Sequence, residues 1–62
     1  MFNDDVRRAI KRYGFRGYEI AAALGVSESV FSRKLNRSEL TAEQKQHIYE
    51  AIARLDEIRR AS

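Results

Sequence analysis

The segment ALGVSESVFSRKL, Ala23 to Leu35, turns the chain at Gly25 between two short apolar stripes, and this corner restricts the fold more than any other feature. Ile20, Ala21 and Leu24 precede it at helical spacing, and Val30, Phe31 and Leu35 follow it with the same period. Gly25 can take a positive φ at little cost and end the first stripe. Ser27 is a natural N-cap for the second, with Glu28 in the first turn where the helix dipole favours an anion. Two helices therefore meet across a three-residue turn. Each is too short to be stable alone, so both must pack against further helices.

Those helices are legible on either side. Phe2, Val6, Ala9, Ile10 and Tyr13 recur at helical spacing and predict a first helix over residues 4–13. Asn3 is its expected N-cap, Asp4 and Asp5 suit its first turn, and Arg12 suits its end. Gly14 supplies the stop, with Phe15 as the apolar residue that follows. The second helix is expected over 18–24 and the third over 28–36, with Asn36 to Leu40 as a short polar connection. TAEQ, Thr41 to Gln44, is a capping box that opens a fourth helix over 42–60, along which Ile48, Ala51, Ile52, Leu55 and Ile58 form a stripe. The expected fold class is all-α: one compact domain, residues 1–62, of four helices, with five as the alternative count. At about 60 residues such a domain is only marginally stable.

The absence of cysteine excludes disulfides and thiolate metal sites. No apolar run approaches the roughly 20 residues of a membrane helix. We therefore expect a soluble chain of the cytoplasm. Nothing in the sequence points to catalysis. His47 is the single histidine, the glycines occur one at a time, and Asp4 and Asp5, as helix neighbours, point about 100° apart. No enzyme activity, cofactor or metal is expected.

Charge is distributed unevenly. Between Val6 and Arg37 the chain carries Arg7, Arg8, Lys11, Arg12, Arg16, Arg33, Lys34 and Arg37 against only Glu19 and Glu28, whereas from Ala42 onward the signs balance. A positive field confined to the first two thirds is the pattern of a surface that faces a polyanion.

The stretch IAAALGVSESVFSRKL, Ile20 to Leu35, resembles the helix-turn-helix of the phage Cro and repressor class, the XRE family of small regulators. The resemblance rests on Ala21 where the two helices cross, on Leu24, Gly25 and Val26 through the turn, and on Phe31 inside the second helix. With the flanking helices it covers roughly Val6 to Leu55. It implies a lambda-repressor-like domain that binds double-stranded DNA by sequence through a recognition helix in the major groove, as a transcriptional repressor or regulator of phage or mobile-element type in a bacterial or phage-infected cell. The sequence departs from the pattern at Arg16 and Gly17, where the family usually has Thr or Ser followed by a Gln that touches a phosphate.

The side chains suit that role. The major groove admits one helix, and the helix's N-terminal half reads base edges. Ser27, Glu28, Ser29, Ser32 and Arg33 are the expected base contacts, with Arg33 foremost because arginine bonds guanine O6 and N7 together. Lys34, Asn36 and Arg37 suit phosphate contact, and Arg16 and Tyr18 are at hand for the missing anchor. Arg7, Arg8 and Lys11 could add further phosphate contacts from the first helix. Leu55 and Ile58 are the expected contact of a homodimer through the last helix, which would place two recognition helices about 34 Å apart on a palindromic operator. The competing reading of that end is a frayed turn on a monomer. The competing functions are a protein-interaction module on the same scaffold and an architectural or recombination accessory factor.

Overall fold

Two glycine corners and two capped helix starts divide the computed structural model, which describes residues Met1–Ser62, into four helices and no strand. They are α1 (Asp4–Arg12), α2 (Gly17–Leu24), α3 (Glu28–Arg37) and α4 (Ala42–Ala61). The count is four; no fifth helix forms. No helix is long and apolar enough to cross a membrane.

The corners work by one mechanism. Gly14 and Gly25 both adopt φ +77°, and each closes the preceding helix with a reversed pair of hydrogen bonds. Gly14 N donates to Lys11 O and Phe15 N to Ile10 O; Gly25 N donates to Ala22 O and Val26 N to Ala21 O. This is the Schellman closure, which requires a left-handed residue and so favours glycine. The starts are capped as the local sequence predicts. Ser27 Oγ accepts from Val30 N at 3.3 Å, and Thr41 and Gln44 exchange both bonds of the capping box, at 3.1 and 2.9 Å. At α2 only half a box forms. Glu19 accepts from Arg16 N at 2.9 Å, and an arginine side chain has no acceptor to return the bond.

Every helix contributes to the core. Val6 and Ile10 of α1, Ile20 and Ala21 of α2, Phe31 and Leu35 of α3, and Ile48, Ala51 and Ile52 of α4 are buried together. The long α4 lies against both α1 and α2, and α2 packs on α3. Ala21 sits where α2 meets its neighbours, and its small side chain lets the backbones approach. Four apolar positions of the expected stripes stay largely outside: Phe2, Tyr13, Val30 and Ile58 are exposed.

The principal correction concerns Asn3. It is not the N-cap of α1 in the side-chain sense, because it makes no capping hydrogen bond and adopts φ 61°, ψ 37°. Its side chain turns inward instead and is completely buried. Nδ2 donates to Leu35 O and Ser38 O, both at 2.9 Å, and Oδ1 accepts from Leu40 N at 2.8 Å. One amide thus satisfies carbonyls left open at the end of α3 and an N–H of the next loop. Asparagine is among the few residues other than glycine that visit the left-handed region readily.

This clamp bears on a second correction. α3 continues through Arg37, so Asn36 and Arg37 belong to the helix and not to the connection. Ser38 then turns to extended backbone, φ −163°. At the other end of the chain α4 is helical to Ala61, one residue beyond the expected limit.

Candidate nucleic-acid interface

Successive residues of an α-helix are rotated by about 100°, and this sorts the α3 side chains into faces. Phe31 and Leu35 point into the core. Ser29, Arg33, Asn36 and Arg37 fall on the opposite side and are exposed, with Arg33 outermost. Glu28 and Ser32 lie on one flank. They line an open groove of about 610 Å³ whose other wall carries Arg7, Lys11 and Arg16 from α1 and the first corner. Lys34 lies on the other flank, beside a smaller recess of about 200 Å³ lined by Leu24, Val26, Leu40 and His47.

The five expected base contacts are therefore divided. Ser29 and Arg33 share the outward stripe, Glu28 and Ser32 turn toward the α1 groove, and Ser27 sits at the helix start. The Ser27 hydroxyl is already engaged by Val30 N and lies 3.3 Å from Ser29 Oγ. Of the expected phosphate residues, Arg37 and Asn36 flank Arg33 on the stripe. Arg16 opens onto the groove, and Tyr18 is exposed on the first turn of α2. Asn36 is not free at both ends, because its Oδ1 accepts from the guanidinium of Arg7.

Electrostatics separates the molecule more sharply than the sequence alone. None of the eight basic residues between Val6 and Arg37 has a carboxylate partner; the side-chain cations held in ion pairs are Lys45, Arg59 and Arg60, all on α4. Lys45 bridges Glu39 at 2.6 Å and Asp5 at 3.0 Å. Its hydrogen bonds hold both carboxyls below the usual range, and the two carboxylates raise the Lys45 ammonium. Burial and the nearby Asp5 push the Tyr49 phenol up. Asp56 is shared by Arg59 and Arg60, both at 2.9 Å. The carboxylates of Asp5, Glu39 and Asp56 are thus directed to α4 cations, and Glu19 accepts a backbone N–H, which leaves the first two thirds with uncompensated positive charge.

The end of α4 is anchored. The Arg59 guanidinium stacks 4.4 Å from the centroid of the Phe15 ring, a cation–π contact that ties the last turns to the first corner. Leu55 is half-buried against the core and packs within this chain, so only Ile58 of the two expected dimer residues presents a free apolar side chain, 59% exposed. His47 is exposed. Four features escaped sequence reasoning: the Asn3 clamp, the Arg7–Asn36 bond, the Lys45–Asp5 bridge and the Arg59–Phe15 stack. Each joins residues far apart in the chain, and no local motif marks the pairing. Comparison with protein-family models, with curated proteins and with solved structures gave no match.

Proposed function

We propose that the domain binds double-stranded DNA by sequence, with α3 as the recognition helix in the major groove, and acts as a transcriptional regulator of the repressor type in the cytoplasm. The observation that carries this reading is that all eight side-chain cations between Val6 and Arg37 lack carboxylate partners, while Asp5, Glu39 and Asp56 pair with Lys45, Arg59 and Arg60 of α4. A surface that keeps its positive charges unpaired is suited to phosphate, whose condensed counterions such cations displace. In this reading Arg33 reads a guanine and Ser29 reads loosely or through water. Arg16, Lys34 and Arg37 hold phosphates. The resemblance of Ile20 to Leu35 to the Cro and repressor class supports the same role. No catalytic role is proposed.

The test is titration of the protein onto random and selected duplexes at several salt concentrations. Neutralising three phosphates with Arg16, Lys34 and Arg37 gives a slope of log affinity against log salt of about −2.7. Arg33→Ala should relax the preference at one base pair by about 1–3 kcal/mol and leave that slope nearly unchanged. No salt-dependent binding to any duplex at micromolar protein would reject the proposal and favour the interaction module.

A further inference from the structure

The only side-chain hydrogen bond between α1 and α3 ends on the outward stripe. Arg7 Nε donates to Phe2 O at 3.1 Å, which fixes the guanidinium beside the start of its own helix. One of the two terminal nitrogens, Nη2, donates to Asn36 Oδ1. Arginine carries donors only, so the Asn36 amide must turn its oxygen toward Arg7 and its NH2 away. An untethered asparagine on a recognition helix can use both ends of its amide, accepting from adenine N6 and donating to N7. The Arg7 bond takes one of that oxygen's two lone pairs and fixes which way round the amide sits, with its NH2 turned from Arg7.

We propose that Arg7 is a positioning residue for recognition: by holding Asn36 Oδ1 it keeps the amide from turning over, so this point of the stripe presents its NH2 to an acceptor atom of DNA. The acceptor is a phosphate oxygen or a base edge that carries an acceptor, that of guanine, adenine or thymine. The inference rests on the DNA-binding reading above. It also changes the part played by Arg7, whose charge is held against α3 instead of reaching for a phosphate of its own.

The experiment is a double-mutant cycle on duplex affinity with Arg7→Met, Asn36→Ala and the pair, using a duplex selected by the unsubstituted protein. The charge lost in Arg7→Met is common to both limbs and cancels. Asn36→Ala should weaken binding about five- to tenfold when Arg7 is present, and about twofold or less in the Arg7→Met background. If the acceptor is phosphate, the loss is equal on every duplex; if it is a base edge, the loss is confined to duplexes with guanine, adenine or thymine at one position, and site selection repeated with Arg7→Met should admit cytosine there, whose major-groove edge carries a donor alone. A merely structural role for Arg7 would lower the thermal midpoint and weaken all duplexes alike without that coupling to Asn36. Equal losses from Asn36→Ala in both backgrounds overturn the inference while leaving DNA binding intact. Failure of the unsubstituted protein to bind any duplex overturns the DNA reading, and the inference with it.

Discussion

Replacing Asn3 removes three side-chain hydrogen bonds from one buried point: those to Leu35 O and Ser38 O and that from Leu40 N. At a net contribution of about 1 kcal/mol each, they amount to about 3 kcal/mol. Alanine must in addition hold a left-handed backbone that asparagine tolerates, at a cost of about 1 kcal/mol. Asn3→Ala should therefore lose about 4 kcal/mol, a large share of the 5–15 kcal/mol typical of a folded domain. Urea unfolding followed by far-UV circular dichroism measures it as a shift in midpoint at constant slope. Asn3→Asp refines the test. Aspartate keeps the backbone preference and the acceptor for Leu40 N, but it loses both donors and sets a carboxylate against two carbonyls. Its loss, taken against the unsubstituted protein at each pH, should be at least as large as that of alanine at neutral pH. It should shrink in acid, where the new carboxyl gains an O–H that can donate. A loss below about 1 kcal/mol for Asn3→Ala, or an Asn3→Asp deficit that does not change with pH, would refute the clamp as an energetic feature.

Other consequences can be measured separately. Asp5 and Glu39 are held below their usual range by Lys45, so near pH 4 the unfolded chain binds more protons than the folded one, and stability should fall as pH drops through the folded values. The raised Lys45 contributes fully below its unfolded value and is lost as pH rises beyond about 10.4; Lys45→Met should flatten both limbs of the stability profile. Gly25→Ala should destabilise by about 1–2 kcal/mol through backbone strain alone, since nothing lies within 4 Å of the added carbon. Gly17 has equally open surroundings without a positive φ, so Gly17→Ala should stabilise by about 0.5–1 kcal/mol; thermal melts of the two variants should move in opposite directions. Sedimentation of the unsubstituted protein and Ile58→Glu tests the homodimer. A monomer at high concentration before substitution rules it out.

The features legible in the sequence are those whose cause lies within five residues. Thr41 and Gln44, Ser27 and Val30, and the glycines at 14 and 25 complete their hydrogen bonds locally, so their residue types announce the structure. The end of α3 was misplaced because no such local signal stops it. Its terminal carbonyls are met by an amide 32 and 35 residues away, and that amide belongs to a residue that reads locally as an ordinary cap. The candidate site was legible as a set of residue types but not as a surface. Rotation along α3 separates Ser29 and Arg33 from Glu28 and Ser32, and the engagement of Asn36 by Arg7 depends on a contact spanning 29 positions. Dispersal of the acids could not be read in advance either. Balanced composition after Ala42 hides the fact that Asp5 and Glu39, outside that segment, are drawn to Lys45.

The unpaired cations also affect the protein in the absence of any ligand. Like charges gathered on one part of a small domain repel one another, and the compact state bears that repulsion more than the expanded chain does. Added salt screens it, with a Debye length of about 10 Å at 0.1 M. The free domain should therefore become harder to unfold over the same range of salt in which a polyanion is released. Arg16, Lys34 and Arg37 would give opposite salt dependences to stability and binding, and neutralising any one of these three should reduce both together.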